Sequence, residues 1–172
     1  MILYHGSRNK FNKFNFDYQG LNGASEGEGI YLTTSKKIAY ENYAGKHGYL
    51  YTVNLIEGKE LSSEKITLTR DDIRIIIEKL GAYDVLNDYQ DVDYYGMDYT
   101  MSYAIDTLLS NTNDNDIITD LCYTCGREKV LNVIANLGYT HTKSKATWGN
   151  DKESHIIYVV YNLNALRIVN VE

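Results

Sequence analysis

Proline is absent from this chain, and cysteine occurs only twice, at Cys122 and Cys125. Without proline no turn is pre-set and no helix is broken by a missing N–H, so boundaries are read from glycine, capping residues and periodicity. Two cysteines cannot build the disulfide framework of a small secreted domain and point to a reducing compartment. Long apolar runs are missing too. Nothing approaches the roughly 20 residues of a membrane span, and Met1–His5 passes straight into polar residues where a leader would stay apolar. Together these absences predict a cytoplasmic protein with no membrane partner. A basic excess is also lacking: 17 Lys and Arg stand against 23 Asp and Glu, a net charge of −6. Sequence-independent binding of nucleic acid needs a cationic stripe to displace phosphate counterions, so the charge argues against that partner. Lys10, Lys13, Lys36, Lys37 and Lys46 make the first fifty residues locally basic. They suit the steering of a dinucleotide or of a partner, although solvated surface lysines are the plainer reading.

What is present is the composition of a globular fold. Of 172 residues, 44% are hydrophobic and 23% charged, enough for one domain with a real core and not a disordered chain. Residues 1–55 read as β-rich. Met1–His5 alternates weakly and meets a turn signal at Gly6-Ser7, while Phe11, Phe14 and Phe16 are spaced to fold under a loop. Gly29–Thr33 is a short β-branched and aromatic run. Ser35 can cap a helix over 36–45, and Tyr49–Leu55 is the clearest strand of this half. The middle, 66–137, changes character. Thr69 precedes acids in a first turn, and Ile73, Ile76, Ile77 and Leu80 then recur at helical spacing until Gly81. A tyrosine- and aspartate-rich stretch (Tyr89 to Tyr99) follows. Further helical patterns cover Met101–Leu109, Asp116–Cys122 and Arg127–Leu137. The end returns to β: Tyr139–Lys143, a polar loop over 144–152, Ser154–Tyr161 and Leu166–Val171. The order predicts a single α+β domain with a helical insert.

The β-rich front also carries the candidate chemistry. His5 stands at a strand end beside Gly6-Ser7, where backbone can approach a ligand closely. Tyr31 lies on a strand entered through Gly27-Glu28-Gly29, and Tyr40 and Tyr43 follow on the next helix. A histidine for a ribose hydroxyl, glycine backbone for a carboxamide and tyrosine faces for a planar ring suit a nucleotide. Singly, a histidine at a strand end is more often a capped surface residue, and a strand tyrosine is more often half core.

In sequence these pieces resemble a family. Leu3-Tyr4-His5-Gly6-Ser7-Arg8, then Gly27-Glu28-Gly29-Ile30-Tyr31-Leu32, then Ser35 through Ala39-Tyr40-Glu41-Asn42-Tyr43-Ala44 are similar to the ADP-ribosyltransferases of the histidine–tyrosine–glutamate branch. That branch holds diphtheria-type toxins and poly(ADP-ribose) polymerases. The style resembles small bacterial and phage transferase domains, including those of polyvalent mobile-element proteins. Leu137-Gly138-Tyr139 and the late strand Ile157-Tyr158-Val159-Val160-Tyr161-Asn162 also look like the family's. The likeness covers about the first 55 and the last 35 residues; the middle matches only in kind.

The resemblance implies antiparallel sheets split around a cleft that holds NAD as co-substrate, and a transferase that moves a single ADP-ribosyl unit to a protein. The implied agent is a phage or mobile-element effector. By position His5 would bond the ribose hydroxyls of NAD, with Gly6 and Ser7 beside it and the Gly6 backbone bonding the nicotinamide amide. Tyr31 would stack on the nicotinamide ring. The second stacking tyrosine falls eleven residues after the first in the family, which here is Asn42. A one-residue slip gives the role to Tyr43, with Tyr40 as rival. The family's catalytic glutamate directly precedes the late strand, where Ile157 stands; Glu153 comes four residues earlier, on the same face of an extended strand. Three readings stay open: Glu153 serves through a shifted register, Ile157 marks a mono-transferring arrangement, or the fold holds NAD without chemistry and acts by contact. NAD glycohydrolysis and transfer to nucleic acid are further alternatives.

Other signals point to structure. Cys122 and Cys125 form a CxxC near a helix end, which suits structural thiols better than a redox motif or a zinc site short of ligands. Residues 111–116 begin like a calcium loop but lack its glycine and closing glutamate, which leaves a solvated connection. The acidic, tyrosine-rich Asp88–Asp98 could grip a basic protein; a surface loop or lid is the plainer reading.

Overall fold

The computed structural model describes residues 1–17, 27–148 and 153–172, with the backbone alone at Tyr83, Asp84, Trp148 and Glu153. Seven strands lie in it: β1 (Ile2–Ser7), β2 (Ile30–Thr33), β3 (Tyr49–Leu55), β4 (Lys59–Ser62), β5 (Tyr139–Trp148), β6 (Glu153–Val160) and β7 (Leu166–Val171). They form one mixed sheet in the order β4-β5-β6-β2-β1-β3-β7. Every neighbouring pair is antiparallel except β4 with β5. The class is therefore α+β, but the two separate antiparallel sheets expected from the sequence are joined into one. Their join is slight. β1 and β2 share the single pair Tyr4↔Thr33, whereas β1 and β3 share six pairs from Ile2↔Asn54 to Ser7↔Tyr49.

The parallel pair explains where the helices are. A parallel neighbour cannot be reached by a hairpin, so the chain needs a long crossover between β4 and β5. Six helices supply it: α2 (Arg70–Leu80), α3 (Ala82–Tyr89), α4 (Val92–Tyr95), α5 (Met97–Leu109), α6 (Asp114–Cys125) and α7 (Arg127–Asn136). α2 starts at a reciprocal capping box, Thr69 with Asp72, and buries Ile73, Ile76, Ile77 and Leu80. One cluster of buried apolar residues takes Leu3, Leu32 and Val53 from the sheet together with Ile76, Ile105, Leu121 and Ile134 from the helices.

Several boundaries differ from those expected. Gly6-Ser7 is strand, not turn, because both residues pair with β3. β4, with a single buried apolar side chain at Leu61, carries too little alternation to be seen in advance. β5 continues through 144–148, which the sequence reads as polar loop; the rest of that loop, 149–152, lies outside the described residues. The region 81–99 is helical in three short pieces. The largest departure is Asp114. It is fully buried and accepts hydrogen bonds from the backbone N–H groups of Ser62 (2.8 Å), Thr67 (2.8 Å) and Leu68 (3.1 Å), and from the Thr67 hydroxyl. The expected solvated connection is instead the staple between α6, β4 and the entry to α2.

Candidate functional site

The slight join between β1 and β2 is where the sequence-predicted residues meet. Continuing the antiparallel register beyond Tyr4↔Thr33 would set Gly6 opposite Tyr31, but no such pair forms. The His5 ring lies at the parting instead, with Nδ1 2.8 Å from the Tyr31 carbonyl oxygen. A carbonyl only accepts, so Nδ1 carries the proton. Burial holds the imidazole pKa below its ordinary 6.5, against the opposing pull of the Tyr31 bond. The ring is thus neutral near pH 7, and its Nε2 is left with a lone pair, an acceptor of the kind a sugar hydroxyl needs.

The ring is held by aromatic edges. Phe11, Phe14 and Tyr51 lie 5.8, 5.3 and 6.0 Å from it, centroid to centroid, each edge-on. Phe11 stacks on Tyr51 at 4.1 Å, and its backbone N–H donates to the Tyr51 hydroxyl at 2.7 Å. The phenylalanines after β1 therefore fold under their loop as the spacing predicts, and they fix the histidine's orientation.

Gly6 has a different constraint. A Cβ there would stand 1.9 Å from the Ala39 carbonyl oxygen and 2.8 Å from the Tyr43 Cβ. The helix after β2 thus rests directly on β1, and only glycine permits the approach. That helix begins as α1 (Lys36–Ile38), capped by the Ser35 hydroxyl 3.2 Å from the Ile38 N–H. It then widens into a π-helical turn, Ala39–Ala44, closed by Gly45 N–H on the Tyr40 carbonyl at 2.9 Å. A π turn holds one more residue than an α turn. In this turn Tyr43 is the residue whose Cβ lies beside Gly6. Tyr40 is 46% exposed.

Tyr31 is partly buried, and its hydroxyl donates to the Gly27 carbonyl at 2.7 Å. Its pairing with Val159, and that of Thr33 with Ile157, puts these four side chains on one face of the sheet. Ile157 is 3% exposed and belongs to the core. Glu153 is the first residue of β6 and pairs with Trp148. Six residues separate it from Val159, so its Cα stands roughly 20 Å along the strand from Tyr31, whereas Ile157 is two residues from Val159, roughly 7 Å. The side chain of Glu153 lies outside the described residues. His5 thus meets the backbone of Tyr31, and Gly6 lies against Tyr43, with Ser7 at the end of β1 beside Tyr49; Ile157 belongs to the core on the neighbouring β6, and Glu153 is farther along that strand.

Comparison with family models, with curated proteins and with solved structures found no match. The site is therefore described by its own geometry.

Sequence reasoning missed two residues that hold it. Arg127, at the start of α7, pairs with Glu28 in the glycine-bearing entry to β2. Asn115 on α6 accepts from the Tyr161 hydroxyl at 2.8 Å and lies 3.1 Å from where a Gly27 Cβ would be. The insert thereby clamps the strand that carries Tyr31. Nothing in the spacing of residues 27 and 127 could announce this. Burial pushes the Cys122 thiol up to about 12, which keeps it protonated near pH 7. No group of three metal-ligating side chains occurs among the described residues, and no helix among them is long and apolar enough to cross a membrane.

Proposed function

We propose that this chain binds NAD across the parting of β1 and β2 and transfers a single ADP-ribosyl unit from it to a protein. One observation carries the reading: β1 beyond Tyr4 lacks ladder partners on the side of β2, and a neutral His5 with a free acceptor nitrogen stands there beside Tyr31. Backbone of Gly6 is suited to a carboxamide, Nε2 of His5 to a ribose hydroxyl, and Tyr31 with Tyr43 to the two faces of a flat ring. In the reaction the bond from C1 of the ribose to the pyridinium nitrogen breaks, and its electron pair leaves with neutral nicotinamide. The acceptor's nucleophile bonds to C1 and releases its proton. The transition state resembles an oxocarbenium ion, as in glycoside hydrolysis. The resemblance to effectors of phages and mobile elements makes a host protein the acceptor of choice.

A second reading has its own observation. Ile157, an apolar residue, stands in the register where the resembling family has glutamate, and Glu153 is distant along β6. This favours a module that holds NAD or a partner by contact alone. Calorimetry with NAD, followed by incubation with labelled NAD and cell lysate, separates the two. Binding that is lost in Tyr31→Ala, with label on protein, supports transfer; binding without transfer or hydrolysis supports the contact module; no binding overturns both uses of the parting.

A further inference from the structure

From residue 81 to 126 the chain has nine aspartates and seven tyrosines, and no Lys, Arg or His. The structure concentrates part of this on one surface. From Asp93 to Tyr99 every residue is exposed, with Tyr94 at 78%, Tyr99 at 53% and Tyr95, Met97 and Tyr103 each above 40%. The aromatics are not scattered. Tyr94 meets Tyr95 edge-on at 4.7 Å, and Tyr95 stacks on Tyr99 at 5.3 Å. Gly96, at φ +84°, makes the sharp turn from α4 to α5 that brings them together. The platform is also fixed in place. Asp91 caps α4 through the N–H groups of Asp93 and Tyr94, and the Thr100 hydroxyl donates to the Gly96 carbonyl at 2.9 Å.

The charge beside the rings is uncompensated. Asp106 is paired with Arg70, but among the described residues no cation lies within ion-pair distance of Asp88, Asp91, Asp93 or Asp98. Aromatic faces attract guanidinium and ammonium groups, and the adjoining carboxylates supply their counter-charges. Water-exposed tyrosines in a contiguous group mark a surface that another molecule covers. Two features thus coincide, a preorganised aromatic platform and a field of one sign, and both select the same occupant.

We propose that the α4–α5 surface around Tyr94, Tyr95 and Tyr99 is a docking site for an arginine-rich segment of another protein. Guanidinium planes lie on the tyrosine rings, and Asp91, Asp93 and Asp98 hold the charge. The inference does not depend on NAD. If transfer occurs at the β1–β2 parting, this surface is what selects a basic protein as its acceptor.

The test uses the full chain and a fluorescent twelve-residue peptide of alternating arginine and serine, followed by polarisation at 20 and 150 mM salt. Tyr94→Ala with Tyr99→Ala, which leaves the charge unchanged, is expected to weaken binding by roughly two- to fivefold per ring. Tyr94→Phe with Tyr99→Phe should retain it. Tyr94→Ala alone, at the most exposed ring, covers the case in which the double variant misfolds. Asp91→Asn, Asp93→Asn and Asp98→Asn together should weaken binding more than Glu64→Gln, Glu78→Gln and Glu128→Gln, which remove equal charge elsewhere. Equal losses in the two charge sets, or no loss in the alanine variants, would overturn the assignment in favour of a general acidic surface. Sedimentation in which the chain self-associates and Tyr94→Ala abolishes it would overturn it in favour of a second copy of the chain.

Discussion

His5 donates through one nitrogen, and its surroundings disfavour a charge on the ring. Nδ1–H donates to the Tyr31 carbonyl, three aromatic rings pack edge-on around the imidazole, and burial disfavours the charged ring. The consequence is a pH dependence of stability. Burial depresses the folded pKa of His5, and of His141 as well, below the unfolded 6.5. Between the folded pKa and 6.5 the unfolded chain binds more protons, so stability rises with pH across that window and is fully present above it. Urea midpoints are expected to climb as pH rises toward about 6.5 and then level. His5→Gln should reduce the slope while keeping a donor near Tyr31; an unchanged slope would show that the imidazole is not held neutral by burial. Gly6 gives the other residue-scale prediction. Its Cβ would collide with the Ala39 carbonyl, so Gly6→Ala should cost about 3 kcal/mol, the upper end for overpacking, or displace the π turn. Unaltered stability of Gly6→Ala would contradict the close approach. The sequence singled out these two residues at the end of β1. Their partners were not legible there, because Tyr31 and Ala39 approach through backbone atoms that no side-chain pattern reports.

Among the elements, legibility followed the strength of the period. α2 announces itself: Thr69, two acids and four apolar residues at helical spacing all agree, the start and the buried face are as predicted, and the structure adds a reciprocal capping box. β4 does not, because a short edge strand made of Lys59, Glu60, Leu61 and Ser62 has one side chain to bury. The π turn at Ala39–Ala44 is intermediate. Its helical start was readable from Ser35, but the extra residue of the turn leaves no periodic signature, and its geometry can be tested by deletion. Deleting Asn42, an exposed residue in the turn, should close an ordinary α turn and leave Tyr43 beside Gly6. The variant should fold with an unfolding midpoint close to that of the parent. Deleting the equally exposed Arg74 from α2 should behave otherwise. It rotates Ile76, Ile77 and Leu80 by about 100° away from the core, and such a helix cannot dock. Soluble expression and urea unfolding of both deletions check the contrast, and an Asn42 deletion as damaging as the Arg74 deletion would show that the turn does not carry a removable extra residue.

At the scale of the molecule, the insert is both crossover and clamp. Because β4 lies parallel to β5, residues 70–136 must return the chain to the same end of the sheet, and on the way they hold β2 through Arg127 and Asn115. Sheet and helices share one core cluster, so they should unfold together. Asp114 is the polar part of that union. Its carboxylate sits in the first turn of α6, where the helix dipole favours negative charge, and it accepts from three backbone N–H groups of the segment that links β4 to α2, that of Leu68 buried. Asparagine has one acceptor oxygen and turns an amide N–H₂ toward those donors. Asp114→Asn should therefore leave at least one donor unpaired and cost about 3 kcal/mol or more. Asp114→Ala should cost still more, since it leaves all three. The loss should show at the sheet as well as in the helices. Circular dichroism of the helices and a fluorescence probe near β5, such as Trp148, are expected to give coincident transitions in the parent, displaced together in Asp114→Asn. Helical signal lost at lower urea than the Trp148 signal would mean that the insert undocks on its own, and the clamp on Tyr31 would then be separable from the sheet that carries it.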